Sequence, residues 1–172
     1  MKTSNEVITI TARAWASSMA AEEHATFLNE LLEAERAGAK LLSAYLDELP
    51  LNSPEWKAIR AVQLDEARNC AVLIHLLLEA EATPSPAVGM FYDRGLAIRG
   101  WGERLEFLNR GQAWVAKRIA AALPSVPENA RKALRAMHES HLANIRSCEA
   151  LTDRAGAGTP PLAASSNVTQ TA

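Results

Sequence analysis

The residues whose types and spacing best suit a chemical site are Glu35, Glu66, His138 and His141. His138 and His141 are three residues apart in the stretch RAMHESHLANIRS, so on an α-helix they share one face. Glu35 and Glu66 each interrupt a row of apolar residues that has the three- and four-residue spacing of a buried helix face. Buried carboxylates are costly unless they are paired, and two carboxylates with two imidazoles form a recognisable metal-ligand set. These four residues therefore predict a metal site.

The charges of these side chains favour one metal ion rather than two. Two carboxylates and two neutral imidazoles balance a single divalent cation, whereas a dinuclear site normally has more carboxylates. We expect one divalent ion per chain, with iron or manganese favoured over zinc. With room for water or a small molecule, such a site can carry out redox chemistry with O₂ or peroxide, and no residue in the sequence identifies a substrate.

Two other interpretations of the same residues remain open. The inward polar side chains can form a metal-free hydrogen-bond network that sets the register of the helices in a protein-association module. They can also hold zinc with a hydrolytic water, although no separate inward general base is evident. A metal ion that survives dialysis excludes the first alternative, and redox-active spectra exclude the second.

Proline, glycine and capping residues divide the chain into four long helices. Ser53-Pro54-Glu55 and Pro127 mark two of the helix starts, and Pro50 and Pro124 follow two of the helix ends. A connecting segment with a short helix near Val88–Leu96 separates the second long helix from the third. Residues 1–20 are expected to form an arm or a short strand-like piece, and residues 155–172 a disordered tail. The long helices are predicted at about Ala21–Leu49, Ser53–Glu81, Gly100–Leu123 and Pro127–Asp153.

Near its midpoint, each predicted helix carries a polar interruption of its apolar row. In a bundle of helices of similar length the midpoints lie in one layer, so these side chains are expected to converge. They are Glu35, Glu66 with Asn69, Gln112, and His138 with His141. Gly38 and Gly111 lie beside the same layer, where they either leave room for a small ligand or allow close helix packing.

The composition is that of a helical protein. Of the 172 residues 48% are hydrophobic but only 5% aromatic, the net charge is −2 and the pI is about 6.1. We therefore expect one all-α domain over residues 21–154, with no nucleic-acid or membrane partner. Cys70 and Cys148 are expected to be reduced thiols in a cytoplasmic protein. Trp114 and Phe107, to one side of the third helix, are candidates for a homodimer face.

Three segments resemble helices of the ferritin-like superfamily, in particular its bacterioferritin and rubrerythrin-type members. LNELLEAERAGAKLL resembles the first helix, with Glu35 at the ligand position, and LDEARNCAVLIHLLLE resembles the second, with Glu66 at the bridging Glu. MHESHLANIRSCEAL resembles the fourth, with His141 at the ligand His. The resemblance implies a four-helix bundle with a long crossover between its second and third helices.

The sequence departs from that family's pattern at three ligand positions. Asn69 stands where the family has a His, His138 where it has a second bridging Glu, and Gln112 at the height of the third-helix Glu. Members with the full ligand set hold two metals and activate O₂ or peroxide. The departures indicate a one-metal site rather than a di-iron ferroxidase.

Overall fold

All regular structure in the described part of the chain is helical. The computed structural model describes the backbone of residues 4–157 and the side chains of residues 20–153. Within these bounds there is no strand, which confirms the all-α prediction. The helices are α1 (Ser4–Glu48), α2 (Pro54–Glu79), α3 (Phe91–Leu96), α4 (Trp101–Ala122) and α5 (Glu128–Ala157). None of them is long and apolar enough to cross a membrane.

Helix α1 begins at Ser4, and residues 4–20 are its first turns rather than a separate arm or strand. The β-branched run Val7–Thr11 suggested a strand, but such residues lower helix propensity by well under about 1 kcal/mol each. No proline or glycine interrupts the chain before Gly38, so nothing ends the helix. Helix α5 continues past Asp153 to Ala157, and the remainder of the expected tail lies outside the described residues.

The predicted start of α2 is confirmed in detail. Ser53 is the N-cap, and its Oγ accepts a hydrogen bond of 3.0 Å from the backbone N–H of Trp56. Pro54 follows in the first turn, where no N–H is needed, and Glu55 places a negative charge at the positive end of the helix dipole.

Replacing this cap is expected to destabilise the protein measurably. Ser53→Ala leaves the N–H of Trp56 without its acceptor, and we expect a loss of about 1 kcal/mol in the free energy of unfolding. The exposed Ser147, whose hydroxyl donates to the Ala143 carbonyl of its own helix, provides the control, and Ser147→Ala should change stability by less than about 0.5 kcal/mol. Urea unfolding followed by circular dichroism measures both. Equal losses in the two variants would contradict the assignment of the cap.

The four long helices pack in a closed cycle of neighbours. Helix α1 packs along α2, α2 contacts α5, α5 packs along α4, and α4 contacts α1. Two apolar clusters form the interior. The Leu28 cluster is centred on Leu28, Leu73, Ile119 and Leu134, and the Tyr45 cluster on Leu42, Tyr45, Ile59, Leu105 and Leu151. On all four helices the two clusters occupy different stretches, so they lie at opposite ends of the interior.

The connection between α2 and α4 is fixed against the surface of α1. The Arg36 guanidinium donates hydrogen bonds of 2.7 Å to the carbonyls of Ser85 and Ala87. The short helix α3 then packs on α1 and α4. There, the buried Tyr45 hydroxyl donates to the carbonyl of Gly95 over 2.9 Å, and burial raises the Tyr45 pKa to about 12. These contacts place the α3 aromatic residues beside the middle of the interior.

Candidate functional site

A layer of buried polar side chains separates the two apolar clusters. Each side chain is at most 5% exposed, and every long helix contributes at least one. The inward orientation predicted for Glu35, Glu66, Gln112 and His141 is therefore confirmed. The polar layer consists of Glu35 on α1, Glu66 and Asn69 on α2, Gln112 on α4 and His141 on α5.

Hydrogen bonds join the polar layer into one chain. Asn69 Nδ2 donates to Glu35 Oε2 over 3.0 Å, and Glu35 Oε1 lies 2.7 Å from His141 Nε2. On the other side of the imidazole, His141 Nδ1 lies 2.5 Å from Gln112 Oε1, and Gln112 Nε2 donates to Glu66 Oε1. The order is therefore Asn69, Glu35, His141, Gln112 and Glu66.

The partners of His141 define where its protons lie. An amide oxygen can only accept, so His141 Nδ1 carries a hydrogen and donates it to Gln112. The remaining nitrogen, Nε2, shares a proton with the Glu35 carboxyl, either as an imidazolium facing a carboxylate or as a neutral ring facing a carboxylic acid. In both cases the Glu35–His141 pair has no net charge. Nearly complete burial makes each member depend on the other for compensation.

Of the two carboxyl groups in the polar layer, that of Glu66 has an oxygen without a hydrogen-bond partner among the described residues. Its Oε1 accepts from Gln112, but its Oε2 is buried and has no hydrogen-bond partner in the described part of the chain. Burial raises the pKa of Glu66 well above its usual range, and the negative charge of Glu35 raises it further, while the bond from Gln112 opposes the shift. Burial therefore favours the neutral, protonated form of Glu66 over its carboxylate.

His138 does not join the polar layer. It is half-buried and forms no hydrogen bond or ion pair with Glu35, Glu66 or His141. The reason is the phase of α5, whose buried residues follow alternating steps of three and four. Met137 takes the inward position in the turn before His141, so His138 lies on its flank. The buried row of α5 is Ala130, Leu134, Met137, His141, Asn144, Cys148 and Leu151.

Sequence reasoning missed Asn144, which is 5% exposed and whose Nδ2 has no partner in the described part of the chain. Its position three residues after His141 is the signal that would have placed it on the inward row. Cys70 and Cys148 are free thiols, and burial raises the pKa of each to about 12, so both are poor nucleophiles.

A cavity of about 490 Å³ leads from the surface to the polar layer. Its inner end is formed by four of the polar-layer residues, and its outer end by exposed residues that include Arg110 and Trp114. Between them stand Phe91 of α3 and Phe107 of α4, whose rings stack with centroids 4.3 Å apart. Of the two residues predicted to form a homodimer face, Phe107 therefore lines the cavity. Trp114 stands at its outer end, where its side chain is 43% exposed.

The two helix glycines beside the polar layer make room for side chains of other helices. A Cβ at Gly38 would lie 1.9 Å from Glu66 Oε2, and a Cβ at Gly111 would lie 2.6 Å from the Phe91 ring. Gly38 therefore allows the Glu66 carboxyl to lie in the layer, and Gly111 allows Phe91 to form the cavity wall. Both glycines also line the cavity, so close packing and space for a ligand occur together.

The predicted metal ligands are brought together only in part. Glu35 contacts His141 directly, Glu66 is connected to them through Gln112, and His138 stands apart. Among the residues that the structure describes, no three His, Cys, Asp or Glu side chains are grouped as ligands of one ion. The Gln112 amide lies between His141 and Glu66, and the Asn69 amide bonds to Glu35 at the other end of the chain of hydrogen bonds.

Comparison with known proteins gives one match. Residues 22–150 match the family model described as "Domain of unknown function (DUF6306)", and this range contains all five helices in whole or in part and every residue of the polar layer. No curated protein and no solved structure matches the chain.

Proposed function

We propose that this chain, which belongs to the family described as Domain of unknown function (DUF6306), binds one divalent metal ion, iron or manganese, through Glu35, Glu66 and His141 of the polar layer. The observation that carries this proposal is the buried Glu66 Oε2, which has no partner in the described residues. A buried oxygen left in this state is costly, and a cation is a partner that also compensates the carboxylate charge.

The three side chains are of types that bind such an ion, and because Gln112 stands between Glu66 and His141, binding requires Gln112 to release its bond to Glu66. Carboxylate oxygens and imidazole nitrogen suit iron and manganese, and Gln112 Oε1 would orient the imidazole by accepting from its Nδ1 while Nε2 binds the ion. A metal ion binds the carboxylate form of Glu66, whereas the raised pKa favours the acid, so binding is expected to release a proton. We leave His138 out of this ligand set because it does not contact the polar layer. The ion, when bound, would supply redox chemistry with O₂ or peroxide.

We also propose that the four long helices form a ferritin-like four-helix bundle. Their closed cycle of contacts supports this, as does the long connection from α2 to α4, which contains α3. A cytoplasmic location is consistent with the free thiols of Cys70 and Cys148. The homodimer expected from the sequence stays a prediction, with the exposed Trp114 as the candidate contact.

A second candidate function is supported by the amides in the polar layer. Asn69 and Gln112 already bond to Glu35, His141 and Glu66, the groups that a metal would need. In this alternative the hydrogen-bonded chain fixes the register of the helices, and the protein acts as a metal-free association module.

Metal content per chain distinguishes the two candidates. Tag-free protein is reconstituted anaerobically with Fe²⁺ or Mn²⁺, dialysed and measured by elemental mass spectrometry. We expect about one ion per chain in wild type and in His138→Ala, and a loss of at least about tenfold in affinity in Glu66→Gln, because an amide does not supply a charged oxygen. Glu79→Gln, at an exposed carboxylate, is the matched control and should retain the ion. Wild-type protein that retains no ion would support the metal-free candidate.

A further inference from the structure

The cavity has the size and lining of a small-molecule site. Its volume of about 490 Å³ lies within the range of ligand pockets, which is roughly 300–1,000 Å³. Most of the surface that lines the cavity is apolar, and three of the lining side chains are aromatic. The larger apolar side chains come from α3, from the turn before it and from α4; they are Met90, Phe91, Phe107, Leu108, Trp114 and Val115.

Each of the charged residues at the outer end of the cavity already contacts another side chain. Glu30 pairs with Arg118, the Glu33 carboxylate accepts from the Ser85 hydroxyl, and the Arg110 guanidinium lies over the Phe107 ring. Both signs of charge are therefore present at the outer end, and apolar walls separate these groups from the polar layer. A charged ligand would lose its hydration among apolar walls without compensation, so the cavity favours a neutral molecule.

The inner end of the cavity offers one hydrogen-bonding position. Glu66 is 3% exposed and lines the cavity together with Gly38, against which its Oε2 lies. This oxygen has no partner among the described residues, whereas the neighbouring Gln112 and His141 side chains are bonded on both sides. A hydroxyl group both donates and accepts, so it can serve Glu66 Oε2 whether or not the carboxyl carries a proton.

We infer that the cavity binds a small, neutral, apolar molecule with one hydroxyl group, a phenol or an alcohol, whose ring or chain packs against Phe91 and Phe107. Its hydroxyl bonds to Glu66 Oε2, which turns from its position against Gly38 toward the cavity. The molecule would contact only protein atoms in this arrangement. The inference therefore does not require the metal and goes beyond the proposed metal binding. A metal at Glu66 would take the same oxygen, and bound metal is therefore expected to weaken the hydroxyl contact.

The test uses full-length protein treated with a chelator, so that its result does not depend on the metal. Isothermal titration calorimetry compares 4-propylphenol with propylbenzene, which has the same apolar body and no hydroxyl. We expect wild type to bind 4-propylphenol about tenfold more tightly, as one added hydrogen bond to a buried group implies. In Glu66→Leu, which removes the hydrogen-bonding atom, the two probes should bind equally.

A second variant keeps the inference testable if Glu66→Leu does not fold. Trp114 is 43% exposed at the outer end, so Trp114→Ala should fold and should weaken both probes several-fold, leaving their ratio unchanged. Leu142→Ala, at another exposed apolar side chain that does not line the cavity, is the control and should bind both probes as wild type does. Failure of wild type to bind either probe saturably, or a phenol preference that persists in Glu66→Leu, would overturn the inference. Neither result bears on the metal content measured in dialysed protein.

Discussion

Gly38→Ala lowers the free energy of unfolding by about 1 to 3 kcal/mol, the reverse of what this substitution does at most helix positions. Alanine is the better helix former by about 1 kcal/mol, so the loss must come from contacts outside the helix. The added Cβ would lie 1.9 Å from Glu66 Oε2 and 2.7 Å from its Cδ. Glu66 is buried and bonded to Gln112, so it cannot move aside without breaking that bond.

Urea unfolding of Gly38→Ala beside Gly102→Ala measures this effect. Gly102 is also in a helix, but nothing lies within 4 Å of an added Cβ, so stability should stay the same or rise by up to about 1 kcal/mol. A double-mutant cycle identifies the cause, because in a Glu66→Ala background the clash is absent and Gly38→Ala should become neutral or stabilising. An equal loss in both backgrounds would show that Glu66 is not the obstacle.

His141→Ala is expected to be the most destabilising change in the polar layer, at about 3 to 5 kcal/mol. It removes the group that shares a proton with Glu35, and it also removes the donor to Gln112. Glu35 is 1% exposed and cannot turn to water, so a carboxyl that was part of a neutral pair is left uncompensated in the interior.

His75 provides the matched control for this change. Its side chain is 72% exposed and pairs with Glu79 one turn away, so His75→Ala should cost less than about 0.5 kcal/mol. Removing both partners by Glu35→Leu with His141→Leu should recover most of the loss, because no unpaired carboxyl then remains. Urea unfolding in chelator measures all four proteins. A loss below about 1 kcal/mol in His141→Ala would contradict the paired arrangement.

The sequence predicted helix ends where a residue has a local physical effect. Ser53-Pro54 and Pro127 mark starts that the structure places within a residue, because capping and the missing proline N–H act within one turn. The start of α1 was not located in this way: Thr3, Ser4 and Asn5 are residue types that cap helices, but the β-branched run that follows them also suits a strand. The spacing of Glu35, Glu66 and Gln112 within apolar rows was sufficient to place them inside.

The position of His138 shows that sequence spacing alone does not determine which flank of a helix is buried. Both a row through His138 and a row through Met137 fit a helix that also turns His141 inward, because they differ by a rotation of about 100°. Which flank is buried depends on the neighbouring helices, and no local signal carries that information. The cavity was equally beyond prediction, because it depends on Phe91 docking beside Gly111 across a connection of irregular backbone.

The separation of the interior into a Leu28 cluster and a Tyr45 cluster affects how this chain can change over evolution. Substitutions within one cluster share contacts, so the size of each side chain constrains the others. Substitutions in different clusters are separated by the polar layer and should contribute nearly independently to stability. Each end of the molecule can therefore diverge in side-chain volume without compensation at the other, while the five residues between them must change together.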